Sequence, residues 1–484
     1  MIRNIKFRLN GKDQNLELRE EALVLDWLRN IAGLKGTKEG CREGDCGACL
    51  ALLGGQAPDG SMEWRSVTTC TLAMGELEGR HLVTIEGLAS AGLTPVMEAM
   101  LDEGASQCGF CSPGFVLALT GYLVSGAKMD PVEAMLAVEG NLCRCTGYGS
   151  IRRAAKRLAE DFSDLPFGLK ERLSVLADRK VLPKALADSM ADSKADMPGG
   201  YVHESGQTAT MQNGSIVLGG GTDYFVQNPD PEPGLAPSFS DQDPASRRIA
   251  EKVLSGKTWI SLGRAVTESD FFTSNIIKKA LPGMERYEVL VASPPIRNRA
   301  TLAGNIVNAS PIADMSAMLI ALGAELEISS KDASRSLPIE NIFIGYKKLD
   351  LKPGEYINEI RFPADWSRFA FEKVSKREHL DIATVNVAVA VKTGADGSIA
   401  DARCSAGGVA ATPLRLKNAE ALLKGAKPSL DLAKKLGAVY AESGSPMSDV
   451  RGSSVYRKRL LERLAWAACI RLWPELKLEE EIMA

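Results

Sequence analysis

Three cysteines crowd into the stretch Cys41-Arg42-Glu43-Gly44-Asp45-Cys46-Gly47-Ala48-Cys49, with Gly40 just before it and a lone Cys70 further on. Thiolates are soft ligands that select iron–sulfur clusters or zinc. Glycine reaches backbone conformations that a Cβ forbids, so a loop this rich in it can wrap closely around a bound group. The C-x4-C-x2-C spacing followed by a distant cysteine is the pattern that holds a [2Fe–2S] cluster. Structural zinc more often uses two short knuckles. One-electron transfer is the chemistry this loop predicts, and zinc binding is the bland alternative.

A second set, Cys108-x-x-Cys111 with Cys143-x-Cys145, completes eight of the chain's ten cysteines within its first 145 residues. In a long chain such clustering argues for metal ligation over a disulfide scaffold. Two pairs joined by helices would also suit zinc, but beside a ferredoxin-like loop a second cluster is the better reading. Cys404 and Cys469 have no cysteine neighbours and read as buried structural thiols. A different motif follows the strand-like run Ser215-Ile216-Val217-Leu218, namely Gly219-Gly220-Gly221-Thr222-Asp223. Tyr224 stands where a dinucleotide fingerprint needs its third glycine, so the Rossmann fingerprint fails. What remains is a loop whose N–H groups could cradle a pyrophosphate, or a plain turn. The Gly304-Asn305 and Asn308-Ala309-Ser310-Pro311 stretches form a similar second candidate. His81, His203 and His379 are isolated and read as surface or strand-face residues. No Ser-His-Asp order, HExxH or P-loop lysine offers hydrolytic or kinase machinery.

The elements that must position these groups change in texture along the chain. At 484 residues, two to four domains are expected. A hairpin around Gly11-Lys12-Asp13, a helix from Val24 and strands at 49–53, 64–70 and 81–85 make a small β-grasp-like unit. From Thr94-Pro95 the period is helical, with further starts at Ser112-Pro113, Asp130-Pro131 and Ser150, giving a four-helix domain. Both later cysteine pairs then fall at one end of that bundle. Residues 164–205 read as a surface linker holding a short helix near 168–178. Beyond about 214 the pattern is α/β, with strands and helices continuing to the end. Hydrophobic content of 45% and a net charge of −3 are those of an ordinary globular protein, with no reason to expect nucleic acid as a partner. No run of apolar residues is long enough for a membrane span. The N-terminal stretch reads as a strand, not a signal peptide, so the protein is expected in the cytoplasm.

Along nearly its whole length the chain resembles the small subunit of bacterial xanthine dehydrogenases, within the molybdenum hydroxylase family. The matching stretches are KEGCREGDCGAC with Cys70, QCGFCSPGF at 107–115, NLCRCTGY at 141–148, LGGGTD at 218–223, TLAGNIVNASPIAD at 301–314, and Gly345-Tyr346. The resemblance implies a multidomain α+β protein. Its parts would be a β-grasp [2Fe–2S] domain (1–88), a helical [2Fe–2S] domain (89–163), a linker (164–205), a non-Rossmann α/β FAD-binding domain (206–365) and a C-terminal α/β domain (366–484).

It further implies that Cys41, Cys46, Cys49 and Cys70 hold one cluster, and Cys108, Cys111, Cys143 and Cys145 the other. FAD would contact Val217, Leu218, Gly219, Gly220, Gly221, Thr222, Asp223, Tyr224, Thr301, Asn305 and Asp314, with Ile357 toward the adenine. Tyr346 and the loop from Lys373 to Asp381 would form the flavin's open face, where nicotinamide arrives. A separate large subunit would carry the molybdenum cofactor and oxidise the purine, in a heterotetramer of two small and two large subunits. Electrons would pass from it to the helical-domain cluster, the ferredoxin-type cluster, FAD and finally NAD+. The chain departs from its relatives in the 164–205 stretch, at Leu290 and Val291, where some have aromatics, and at Gly221, where some have asparagine. A small subunit of another molybdenum hydroxylase, acting on aldehydes or N-heterocycles with a different acceptor, is the alternative. A zinc-binding scaffold is the reading from outside redox chemistry.

Overall fold

The computed structural model describes residues 2–125, 128–192, 216–232, 237–239, 244–377 and 379–482. His203, the 197–200 Met-Pro-Gly-Gly stretch and Glu378 of the predicted open-face loop lie outside them. The chain gathers into two compact units, Met1–Ala245 with Ser293–Ala300, and Ser246–Ala292 with Thr301–Ala484.

The first unit opens with a five-stranded sheet in the order Lys12–Arg19, Ile2–Leu9, His81–Val83, Leu50–Gln56, Met62–Thr68. The first two strands pair antiparallel from Leu9↔Lys12 to Ile2↔Arg19. Their turn is therefore Asn10-Gly11, one step earlier than expected. Both residues carry positive φ, 50° and 80°, the conformation that lets a two-residue turn follow the twist of its strands. The run Leu50-Ala51-Leu52-Leu53 is apolar throughout because both faces of its strand are covered. Leu50 and Leu52 pack with the helical segment. Ala51 and Leu53 pack with the helix Val24–Asn30 and the strand residues Ile5 and Phe7.

The four expected helices are Pro95–Asp102, Ser112–Val124, Pro131–Ala137 and Gly149–Asp161. Thr94 and Asp130 cap theirs as predicted, Asp130 accepting from Val132 and Glu133 N–H at 2.9 and 3.0 Å. The segment read as a linker is structured as far as it is described. The short helix is Leu169–Asp178, and a second, Lys184–Met190, was not foreseen. Leu173, Leu176, Leu186 and Met190 join the helical core. Arg172 is buried and donates to the Leu123 and Pro166 carbonyls, closing the end of the Ser112–Val124 helix. The alanine-rich composition that suggested a linker is equally that of short helices buried on one side.

Among its described residues the second unit holds two larger sheets and a two-stranded ribbon, Phe343–Gly345 with Lys348–Leu349. One runs Ser334–Pro338, Glu325–Ser329, Tyr356–Pro363, Lys257–Gly263, Ile249–Leu254, and every neighbouring pair is antiparallel. The other runs Arg368–Val374, Val385–Thr393, Ile399–Gly407, Leu414–Arg415, again antiparallel. No doubly wound parallel sheet is present among the described residues, in keeping with the missing fingerprint. The helix Asp314–Ala321 is buried along most of its length, and Ser454–Leu472 is the longest of the C-terminal helices. Cys404 and Cys469 are both fully buried there, beside Tyr440.

Candidate redox centres and flavin site

The first cysteine loop is held open by backbone shape. Arg42, Gly44 and Gly47 have φ of 57°, 78° and 67°, and the Arg42 guanidinium is tied to Asp26 and Glu39. A Cβ on Gly40 would stand 2.8 Å from Cys46 Sγ, so glycine there leaves the sulfur its space. Glu43 N–H donates to Cys41 Sγ at 3.3 Å. The hydrogen bond from Cys46, helped by backbone N–H groups, brings the Cys41 thiol down to about 5. Cys46 is correspondingly pushed up. Cys49 and Cys70 are buried together against Leu25 and form a second such pair, Cys49 lowered and Cys70 raised.

The second set is gathered the same way. Cys145 Sγ lies 3.7 Å from Cys108 Sγ, and Cys111 shares a hydrogen bond with Cys143. Burial opposes ionisation of Cys143, yet the Thr146 hydroxyl, 3.3 Å away, and backbone N–H groups bring it down to about 7. Burial pushes Cys111 up to about 12. Cys108 and Cys145 are exposed while Cys143 is buried. Two thiolates on one tetrahedral metal with bonds of ~2.3 Å sit roughly 3.8 Å apart. The Cys108–Cys145 pair stands at that spacing, and Cys41 with Cys46, Cys49 with Cys70 and Cys111 with Cys143 interact pairwise, a pairing that suits two ligands per iron. Among the described residues no three Cys, His, Asp or Glu side chains close on a single point.

The two loops touch. Leu142 N–H donates to the Cys46 carbonyl at 3.0 Å, and the Asn141 amide donates to the Gly47 carbonyl at 3.2 Å. A Cβ on Gly114 would fall 2.2 Å from that same Gly47 oxygen, and one on Gly47 would fall 2.4 Å from the Gly140 oxygen. Asn141 was not singled out in the sequence. Its place between two cysteine motifs was the available signal.

The candidate flavin residues divide between the units. In the first, the strand Ile216–Leu218 pairs with Pro237–Phe239 and leads into the glycine loop. Leu218, Phe225 and Phe239 pack on Leu23 and Ala73. Gly220 is explained by a close approach, since its Cβ would stand 1.8 Å from the Arg299 carbonyl oxygen. Gly221 has a φ of 66° and lies against the Phe225 ring. Thr222, Asp223 and Tyr224 follow, Gln227 donating to Asp223.

In the second unit, Thr301 caps the helix Leu302–Val307, accepting from Gly304 N–H at 2.9 Å. Asn305 donates to Glu268 at 3.4 Å and accepts from Ser316 at 3.1 Å. Lys373, nearly buried, donates to Asp314 at 2.7 Å and to the Leu290 carbonyl at 2.6 Å. Asn386 donates to Asp314 at 2.6 Å and to the Ile312 carbonyl at 3.2 Å. Burial pushes the Asp314 carboxyl up, against the pull of Lys373. Among the described residues the buried Asn386 Oδ1 has no hydrogen-bond partner. Asn386 interrupts the run Val385-Asn386-Val387-Ala388-Val389, a legible signal that the sequence reading passed over. Tyr346 is 63% exposed in the turn between Phe343–Gly345 and Lys348–Leu349, and its neighbour Lys347 donates to the Asn308 carbonyl at 2.7 Å. Ile357 is buried in the middle strand of the five-stranded sheet.

Two sets of paired cysteines are the donor chemistry of iron–sulfur clusters. Four family models match in succession. They are a 2Fe-2S iron-sulfur cluster binding domain at 7–74, a [2Fe-2S] binding domain at 84–156, the FAD binding domain in molybdopterin dehydrogenase at 249–365, and the CO dehydrogenase flavoprotein C-terminal domain at 370–472. With these domains in this order, the chain belongs to the iron–sulfur and FAD-binding part of the molybdenum hydroxylase family. The glycine loop lies outside the matched FAD segment.

Xanthine dehydrogenase of Emericella nidulans is 26% identical over 521 residues, covering 94% of this chain and 38% of that protein. That of Oryza sativa subsp. japonica is 28% identical over 490 residues, covering 85% and 35%. Nicotinate hydroxylase hnxS of Emericella nidulans is 26% identical over 597 residues, covering 97% and 40%. The chain therefore spans well under half the length of these curated relatives. A solved carbon monoxide dehydrogenase from Hydrogenophaga pseudoflava superposes with a TM-score of 0.49 at 26% identity, covering 55% of this chain and 91% of that one. No described helix is long and apolar enough to cross a membrane.

Proposed function

We propose that this chain is the electron-transfer and NAD+-reducing subunit of a xanthine dehydrogenase, working with a separate molybdenum-bearing large subunit. The observation that carries the reading is the gathering of eight cysteines into two sets of paired sulfurs, upstream of the matched FAD domain. Xanthine dehydrogenases among the relatives favour purine as the substrate of the assembly. Cys41, Cys46, Cys49 and Cys70 would hold one [2Fe–2S] cluster, and Cys108, Cys111, Cys143 and Cys145 the other. The glycine loop, Thr301, Asn305 and Asp314 would hold FAD. When bound, these groups supply one-electron transfer and, at the flavin, hydride exchange with nicotinamide.

The chain's own residues do the placing. Cys108 and Cys145 stand at the surface beside Phe110, which is 47% exposed, where a donor subunit can approach. Cys143 lies on the inner side, next to the Leu142 N–H that reaches Cys46. Lys373 and Asn386 orient Asp314, and Tyr346 is free to meet an incoming nicotinamide.

A second reading, a subunit of another molybdenum hydroxylase acting on an N-heterocycle, is favoured by the nicotinate hydroxylase relative. Purified chain is expected to hold about four irons and one FAD, and NADH should reduce the flavin. Flavin that NADH leaves oxidised would shift the assignment to the second reading. Cys46→Ser should abolish the ferredoxin-type cluster's visible and paramagnetic signals while FAD stays bound. In the assembled enzyme it should cut purine-to-NAD+ turnover but spare NADH-to-dye activity. Full purine-to-NAD+ turnover with that cluster gone would refute the arrangement.

A further inference from the structure

The segment Ser293–Ala300 leaves the chain around it and packs with the first unit. It carries the short helix Pro294–Arg297 and then Asn298, Arg299 and Ala300. Ile296 lies against Gly44 of the first cysteine loop, where a Cβ would be only 2.5 Å from its Cδ1. Asn298 donates to the Ser66 carbonyl at 3.0 Å, and its own carbonyl accepts from Arg65 at 3.2 Å.

Arg299 is the centre of this junction. Its guanidinium donates to the Thr71 carbonyl at 2.7 Å and the Thr71 hydroxyl at 3.2 Å. It also grips both carboxylate oxygens of Glu76, at 2.7 and 2.8 Å. The pair is almost wholly buried, with the two side chains 5% and 1% exposed. Thr71 follows Cys70 directly. On its other side, the Arg299 carbonyl oxygen occupies the space a Cβ on Gly220 would need, and the Thr71 oxygen lies 3.7 Å from where a Cβ on Gly221 would be. One residue therefore binds the turn that carries a cluster cysteine and abuts the glycine loop.

A buried ion pair is weak evidence for stability, because desolvating two charges offsets most of their attraction. Its geometric precision is another matter. One planar guanidinium, with Nη1 on Thr71 and Nη2 shared between the two Glu76 oxygens, fixes distance and angle as no apolar contact does. We propose that Arg299, braced by Glu76, is a positioning residue that locks the glycine loop to the Cys70–Thr71 turn, so that FAD binding and the geometry of the ferredoxin-type site are coupled through it. This rests on the reading of the glycine loop as an FAD contact.

The test uses the full chain carrying its clusters, stripped of flavin and titrated with FAD. Replacing one partner alone strands a buried charge, so the informative variant is the double Glu76→Met/Arg299→Met, with Arg299→Lys as the conservative control. The double variant is expected to keep native iron content and secondary structure. Its FAD dissociation constant should rise by roughly 10–100-fold, the range seen when a group that orients a metal ligand is lost. In the unaltered chain, FAD should shift the electron paramagnetic resonance of the ferredoxin-type cluster; in the double variant that shift should be lost. Arg299→Lys, which keeps one contact to Glu76, should recover part of both. A double variant with native FAD affinity and a native spectral shift would overturn the proposal. A variant that only melts earlier, with both readouts native, would do the same. If the flavin is instead indifferent to substitution of Gly220 and Gly221 by alanine, the reading of the glycine loop itself fails, separately from the clamp.

Discussion

A neutral histidine is built into the first sheet. His81 is fully buried, its ring edge-on to Trp64 at 5.0 Å, and its Nε2 accepts the Gly11 N–H at 3.0 Å. Burial, with the Arg8 charge adding to it, lowers its pKa to about 3. The unfolded chain takes up this proton near pH 6.5, so between about pH 6.5 and 3 the unfolded state holds one proton more. Stability from this group is complete above that range and falls as pH drops through it, by at most about 1.4 kcal/mol per pH unit. His81→Gln, which retains an acceptor for Gly11, is expected to flatten the fall in melting temperature of the first unit between pH 6.5 and 4. An unchanged slope would mean that other groups carry the acid sensitivity. The isolated histidine looked like a surface or strand-face residue because sequence does not show what covers a strand.

At the scale of elements, glycine decides how closely the helix Ser112–Val124 approaches the first cysteine loop. In an isolated helix, Gly→Ala is stabilising by about 1 kcal/mol. At Gly114 the new Cβ would meet a backbone oxygen at 2.2 Å, and overpacking of this kind costs about 1–3 kcal/mol. The clash wins because neither the helix nor the loop has a flexible end to yield. Gly114→Ala should therefore lower the melting temperature and loosen iron from the ferredoxin-type site, seen as faster loss of visible absorbance to a chelator. A more stable protein with unchanged iron release would show that the loop can give way. Helix starts at Thr94 and Asp130 were legible because capping is a local exchange of hydrogen bonds. The edge strands Ile249–Leu254 and Ser334–Pro338 were not, since their exposed faces carry charged residues and no alternating apolar pattern.

For the whole molecule, the two units have separate cores, one built on the ferredoxin-like sheet and helices, the other on the two antiparallel sheets. Bound groups stabilise only the part that binds them in its folded form. Calorimetry of the loaded chain is expected to resolve two transitions. Removing iron by chelation under reducing conditions should lower the one belonging to the first unit, because cluster binding is also folding energy there. The other transition should hold its temperature. A single cooperative transition that moves as a whole would instead show the units unfolding together.

The cysteine spacing by itself pointed to two sets of four cysteines, and the caps and helical period marked out the segment between them, because those signals are local: loop length, glycine content and helix caps. The resemblance added FAD. Tertiary structure alone decided which sulfurs pair, which of them face solvent, and that Asn141, Leu142 and Gly114 join the two loops. It also decided that Arg299, more than two hundred residues from Cys70 in sequence, lies beside that cysteine's turn. Such contacts depend on chain segments brought together only when several elements pack at once, and no spacing rule encodes them.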